Sequence, residues 1–314
     1  MADEDDGAPR NPARRVALAC AGWIGTGMVW SVAGGVPRTA GLIGTAEAAD
    51  AKGFTFLQMS DNHIGFKAGP YQDVPGTLQA AVNQAKSLKS RPAFMIHTGD
   101  ISHLSKPEEF ATADQINATS GLHIHHVPGE HDVLDSGKKL YLARYGKGTR
   151  GSGWYSFDAA GIHFIGLVNV IETAPGGLWM LGGEQIRWLA DDLRAVPSST
   201  PVVVFAHVPL WTVYRKWGWG TADAPAAFAL LRRFGSVTVL NGHIHQILQK
   251  VEGNIAFHSA LSTAFPQPAP GSAPHPGPIM TLKAGEIGRR LGIRTVTHRL
   301  TQARLATTDH TLES

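Results

Sequence analysis

The sequence predicts an α/β layered fold, and three observations predict it. Short apolar runs, many rich in β-branched residues, stop at polar or turn residues. Between them lie longer segments whose apolar positions recur at helical spacing. Ionisable residues gather where the apolar runs end, and in an α/β sheet the carboxyl ends of strands are where ligands bind. The chain of 314 residues, 43% of them hydrophobic, is long enough to bury one large core or two small ones.

In chain order, residues 1–48 differ from the rest. "NPARRVALACAGWIGTGMVWSVAGG" sets the pair Arg14-Arg15 before a charge-free run from Val16 to Gly35, the layout of an export signal. Twin arginines suggest the Tat route, although "ARRVALA" lacks the bulky residue usual after the pair. Ala46 and Ala48 in "TAEAAD" supply a small-x-small cleavage pattern, so a periplasmic or secreted protein is expected. The alternative is an uncleaved membrane anchor, because the run is long enough to span though rich in glycine. A catalytic domain is expected over residues 53–263. "FTFLQMSD", "AFMIHTGD", "LHIHHVPG", "IHFIGLVN", "PVVVFAHVP" and "VTVLNGH" read as buried strands. "GTLQAAVNQAKSLKS", "KPEEFATADQINAT", "GGEQIRWLADDLRAV" and "APAAFALLRRF" read as helices. "WYSFDAAGIHFIGLVN" and "HQILQKVEGNIAFHSA" read as hairpins turning at Ala160-Gly161 and Gly253-Asn254, which makes the sheet mixed. Residues 264–280 are too rich in proline for helix or central strand and are expected to run extended over the surface. Residues 281–314 are expected to return as a strand or to pack as a C-terminal arm.

The only cysteine, Cys20, lies in the N-terminal run, which excludes a disulfide framework and a cysteine-ligated zinc site. Any metal must therefore be held by His, Asp and Glu. The formal charge is +3 with basic residues dispersed, which argues against a nucleic-acid partner. Asp61 and His63 follow the first strand, Asp100 the second, Glu130, His131 and Asp132 the third, His207 a later one, and His243 and His245 the last. Singly, a strand-end Asp is usually a turn former or cap, and a lone His a satisfied core residue. Together, a His- and Asp-rich, thiol-free set is what two adjacent first-row ions sharing one carboxylate require.

The order D-x-H (Asp61, His63), G-D (Gly99, Asp100), G-x-H-D (Gly129, His131, Asp132), a strand-end His207 and G-H-x-H (Gly242, His243, His245) resembles the calcineurin-like metallophosphoesterase superfamily, from about Phe54 to His245. The resemblance implies a four-layer αββα sandwich of two mixed sheets flanked by helices. It implies two metal ions, with Asp61, His63 and His245 holding the first, His207 and His243 the second, and Asp100 bridging. It also implies a small phosphate-ester substrate, attacked in line by a hydroxide held between the ions. His131 is then the acid for the leaving oxygen, with Asp132 orienting its ring.

Two positions depart from the family pattern. The usual G-N-H-D carries Asn where this chain has Glu130. Glu130 can ligate the second metal but cannot donate to substrate as an amide would, and it adds negative charge. One ferric ion would offset that charge, so iron with manganese or zinc is the expected pair; alternatively Glu130 turns away and the second metal is loosely held. His103 stands where the related purple acid phosphatases place an iron-ligating tyrosine, so no tyrosinate colour is expected. His103 is either an extra ligand or a residue behind the ligands or at the surface. The missing tyrosine favours the phosphodiesterase branch.

For substrate, "PLWTVYRKWGWGTAD" crowds Trp211, Tyr214, Arg215, Lys216, Trp217 and Trp219 into a loop that could stack a base or sugar and hold phosphate, or serve as a structural lid. "YGKGTRGSG" lacks the G-K-[ST] ending of a phosphate loop, though Lys147 and Arg150 could reach the substrate. His123, His125 and His126 alternate along a strand and cannot converge on one ion. His97, His163 and His258 read as structural. Two alternatives to a phosphodiesterase stay open: a periplasmic phosphomonoesterase, and a metal-binding or sensing protein whose catalysis was lost with Glu130.

Overall fold

A computed structural model describes residues 28–33, 36–41, 53–134, 138–299 and 304–312. Two units separate, residues Met1–Ala51 and Lys52–Ser314. In the first, β1 (Met28–Ala33) and β2 (Val36–Gly41) pair as an antiparallel ribbon. The rest of the expected export segment lies outside the described residues. Among those described, no helix is long and apolar enough to cross a membrane.

The second unit holds two large mixed sheets. In one, β3 (Phe54–Met59), β4 (Met95–His97) and β5 (Ile124–His126) run parallel, and the edge is extended by β14 (Gly292–His298) antiparallel to β3 and β15 (Ala306–Thr311) antiparallel to β14. In the other, β7 (Ile162–Gly166), β10 (Val202–Phe205), β11 (Val237–Asn241) and β13 (Ile255–Ser259) run parallel, with β6 (Tyr155–Ala159) and β12 (Leu248–Glu252) closing the two edges antiparallel. Both expected hairpins are present, as β6–β7 and β12–β13. A short ribbon, β8 (Glu172–Thr173) with β9 (Trp179–Met180), stands apart.

Strand alternation builds the layers. Successive side chains point to opposite faces, so Leu57 and Met59 pack outward on helices α1 (Val74–Ser87) and α2 (Pro107–Ala118), through Leu78, Val82, Phe110 and Ala113. Phe56 points the other way and meets Phe164 of β7 edge-on at 5.3 Å, in a shared inner layer with Ile96, Val203, Phe205 and Leu240. Val202 and Val204 face outward again, onto Leu189 and Leu193 of α4 (Gly183–Leu193) and Phe228 and Leu231 of α5 (Ala224–Leu231). Here α3 is the short helix Lys139–Tyr145. Helix, sheet, sheet, helix is the αββα sandwich. The parallel strands read as continuous apolar runs because both of their faces are covered.

The C-terminal segment is part of this body. Arg294 of β14 is fully buried and donates to Asp309 of β15 (2.8 Å), to the Ser259 carbonyl of β13 (2.9 Å) and to Gln58 of β3 (3.4 Å). A buried charge of this kind holds only when its donors are satisfied. It ties the two sheets together close beneath the ends of the strands that carry the site.

Candidate active site

Loops that leave β3, β4 and β11 carry Asp61, His63, Asp100, His243 and His245, all with left-handed backbone, φ between 43° and 66°. Such a conformation costs a non-glycine residue about 1–3 kcal/mol and persists where the surroundings over-determine it. Here the loops are sewn together: the Asp61 amide donates to Gly99 O (3.0 Å), the His63 amide to Asp100 O (2.9 Å), the Gly242 amide to His207 O (3.0 Å) and the His243 amide to Asp61 Oδ1 (3.0 Å). The glycines of the motifs permit this approach. A Cβ at Gly129 would fall on Asp100 Oδ1, and one at Gly242 on Ser60 Oγ and Asp61 Oδ2.

The side chains form two groups sharing one atom. In the first, His63 Nε2 lies 3.2 Å from His245 Nε2, His245 Nε2 lies 3.2 Å from Asp61 Oδ1, and Asp100 Oδ2 lies 3.4 Å from His63 Nε2. In the second, His207 Nε2 lies 3.2 Å from His243 Nδ1, and the two Glu130 oxygens sit 2.9 Å from these nitrogens, one on each. Asp100 Oδ2 is also 3.4 Å from His207 Nε2, while its Oδ1 accepts the His131 amide at 3.0 Å. One carboxylate oxygen therefore faces both groups.

The donor chemistry fits two cations. His245 Nδ1 donates to Phe265 O (2.6 Å) and His207 Nδ1 to Thr98 O (2.7 Å), which directs Nε2 of each ring into the site. Ligands about 2.0–2.2 Å from one ion stand roughly 3.0–3.5 Å apart, the spacing seen here. Burial would lower the His207 pKa, yet the carboxylates of Asp100 and Glu130 outweigh it and hold the ring well above the usual imidazole range. His63 is held well below that range, by burial first and then by the neighbouring His245, His131 and His103. Burial would raise the Glu130 carboxyl, but His243 and His207 hold it well below its ordinary value. The cluster thus concentrates negative charge around positions ringed by nitrogen. Glu130 points into the second group and does not turn away.

His131 and Asp132 diverge on a 3-10 turn over Glu130–Asp132. The His131 ring donates through Nδ1 to His103 O at 2.7 Å, which makes Nε2 its available atom, and lines the same cavity as Asp100 and Glu130. Asp132 does not orient it, contrary to the sequence-based expectation. Its Oδ1 accepts from the Ser102 amide (2.8 Å) and hydroxyl (2.9 Å), and its Oδ2 from the amides of Gly129 (3.0 Å) and Ile101 (3.1 Å). Fully buried, Asp132 joins the turn to the loop that carries Asp100. The ring of His131 is set instead by a backbone carbonyl.

His103 is half-buried, with Nδ1 3.3 Å from His63 Nδ1 and its ring stacked on His131 at 4.7 Å. It stands on the far side of the His63 ring from the His245 contact. Its loop is fixed by Glu109 of α2, which accepts the amides of His103 (3.1 Å) and Leu104 (2.7 Å).

Of the aromatic loop, Trp217 and Trp219 line the cavity. Trp211, Tyr214 and Arg215 do not. Trp211 packs toward Phe257 (6.5 Å) and partly covers the helix-side core, Tyr214 braces Trp217 edge-on at 5.2 Å, and Arg215 is exposed. Lys147 lines a different cavity, with His123, His125 and His126, and Arg150 lines neither. His125 stacks on Phe157 at 3.8 Å, a packing role. The Pro-rich stretch is a wall of the site as well as surface. Phe265 is buried against His63 (4.7 Å) and His245 (4.7 Å), and Gln267 donates to His243 O (2.8 Å) and accepts the Gly277 amide (3.0 Å). Phe66, Trp179, Phe265 and Gln267 escaped sequence reasoning, because nothing in a proline-rich or isolated aromatic residue says which cavity it will meet.

The family model for calcineurin-like phosphoesterases matches residues 54–247, the span that carries every residue of both groups. The chain belongs to the calcineurin-like phosphoesterase family. Members are dinuclear metal hydrolases, in keeping with the paired groups here. The chain is 24% identical over 232 residues to a probable cyclic nucleotide phosphodiesterase of a Psychrobacter species, covering 71% of this chain and 63% of that protein. It is 26% identical over 157 residues to a probable glycerophosphodiester phosphodiesterase of Arcobacter nitrofigilis, covering 49% and 56% respectively. It thus spans less than two thirds of each of these relatives. A dimetal phosphatase from Danio rerio shares the fold, with a TM-score of 0.58 at 16% identity over 82% of this chain and 99% of that one. So does a purple acid phosphatase from yellow lupin, with a TM-score of 0.60 at 11% identity over 83% and 52%.

Proposed function

We propose that the protein is an exported phosphodiesterase, acting on a small phosphate ester that carries one negative charge. The supporting observation is the make-up of the cavity around the paired groups. Asp61, Asp100 and Glu130 contribute three carboxylates, and among the described residues no Lys or Arg lines the space. A dianionic monoester depends on fixed cations more than a monoanionic diester does. The two relatives described above are named as phosphodiesterases, which favours the same reading.

Asp61, His63 and His245 would hold one cation, His207, His243 and Glu130 the other, and Asp100 Oδ2 both. Such a pair supplies Lewis acidity at phosphorus and a water of lowered pKa. A thiol-free set suits first-row ions, and the carboxylate that Glu130 adds favours Fe(III) beside Mn(II) or Zn(II). In the reaction an oxygen of water bonds to phosphorus and releases a proton to solvent as the ester P–O bond breaks. His131 Nε2 delivers a proton to the departing oxygen while His103 O keeps the ring in place. Export rests on Arg14-Arg15 and the uncharged run that follows.

The deciding experiment is elemental analysis of the purified protein alongside hydrolysis of an aryl phosphodiester and its matching monoester. The expected result is two metals per chain with the diester preferred. Preference for the monoester overturns the diester reading, and two metals with neither activity favours a binding or sensing role.

A further inference from the structure

The cavity over the paired groups encloses about 530 Å³, within the range of roughly 300–1,000 Å³ typical of small-molecule sites. Its walls above the ligands are aromatic. On one side Phe265 stacks on His63 at 4.7 Å with Phe66 tilted against it at 4.6 Å. Elsewhere Trp217 stands edge-on to the buried Trp219 at 4.9 Å, and Trp179 lines the same space. Among the described residues no ring contact joins the Phe265 group to the tryptophans, although both line one cavity.

The tryptophan wall is built to hold its shape. The Trp179 amide donates to Gly220 O (3.1 Å) and the Ala222 amide to Trp179 O (2.7 Å), so β9 is stitched to the loop that carries Trp217. Gly218, with φ at 70°, turns the chain between Trp217 and Trp219, and a Cβ there would press on Gly177 O at 2.9 Å. Trp219 is buried and anchors the loop, whereas Trp217 and Trp179 are only half-buried. Large apolar rings left half-buried along a cavity, with Trp217 braced edge-on by Tyr214 and Trp219 and the Trp179 backbone held by the loop, form a stacking surface that needs little ordering on binding.

We propose that Trp217 and Trp179 form a slot for a flat aromatic substituent of the phosphodiester, such as a nucleobase or an aryl group, and so determine which diesters the enzyme accepts. The inference rests on the phosphodiesterase reading above. A planar group needs no charge to bind there, which agrees with a wall that offers none. A substituent without a π-face, such as a short alkyl chain or glycerol, gains little from it.

The test uses the zinc-loaded protein and two monoanionic ligands that have no ester bond to cleave, diphenylphosphinate and dimethylphosphinate, titrated by calorimetry and by quenching of tryptophan fluorescence. The slot predicts that diphenylphosphinate binds about ten-fold tighter or more. W217A should bring the ratio of the two affinities close to one with metal content retained, and W217F should restore most of the preference. Trp217 ends a short 3-10 turn behind the exposed Arg215 and Lys216, and the retained metal content of the variant reports that it is folded. Equal affinities for the two ligands, or a preference that survives W217A and W179A, would overturn the slot. The two proposals fail separately. Hydrolysis of aryl diesters without Trp217 dependence removes the slot and leaves the phosphodiesterase. A Trp217-dependent preference in a protein that cleaves no diester keeps the slot and removes the phosphodiesterase.

Discussion

His131 and Asp132 are neighbours in the chain with separable tasks. The His131 ring touches the cavity and depends on the His103 carbonyl, so H131A should lower turnover by about two to four orders of magnitude with metal content and melting temperature retained. Asp132 accepts three buried amides and a hydroxyl, and leaving such donors without an acceptor costs about 1–3 kcal/mol each. D132A should therefore lose stability in a denaturant titration together with activity. If D132A melted like the wild type and lost only turnover, Asp132 would belong to the chemistry after all. The types and spacing of these residues were legible in the sequence, because His and Asp recur at several strand ends together, as a thiol-free metal pair requires. Which oxygen meets which nitrogen was not legible, since a turn of three residues sends adjacent side chains in different directions.

The hairpin β6–β7 is tied to helix α4 by His163, whose Nδ1 meets Asp158 at 2.8 Å and Nε2 meets Asp192 at 2.9 Å. Burial lowers its pKa, but the hydrogen bonds and charges of Asp192 and Asp158 outweigh it, and the folded value lies above the ordinary one. A raised folded pKa contributes stability that is fully present below the unfolded value of about 6.5 and is lost as pH rises through the folded value. The stability gap between wild type and H163Q should accordingly be largest in mild acid and shrink toward alkaline pH. Thermal unfolding across that range checks it, and a gap constant with pH would show that packing alone holds the hairpin. At this scale the elements themselves were readable, from period-2 and period-3.6 apolar patterns and from the turn residues of the hairpins. The path of the Pro-rich stretch was not, because the bonds that place it run to residues far away in the chain, as from Tyr71 to Ile279 O and from His245 to Phe265 O.

At the scale of the molecule, export is the reading that the N-terminal residues carry. Replacing Arg14 and Arg15 together by lysine should retain the protein inside the cell, measured by fractionation. Export that proceeds undiminished through the lysine pair would exclude the twin-arginine route. The alternation of strands and helices, and the gathering of His, Asp and Glu at strand ends, follow from local periodicity and side-chain chemistry in the sequence alone, while the layer order and the pairing of those residues into two groups came with the family resemblance that the order of the motifs carries. The tertiary structure decided that Asp100 offers one oxygen to both groups, that Glu130 turns inward, that Asp132 braces a loop, and that Trp217, Trp179 and Phe265 line the cavity over those groups. Those outcomes depend on contacts between segments as far apart as Asp61 and His243. Distance of that kind leaves no periodic trace along the chain, and only the packed sheets bring such segments together.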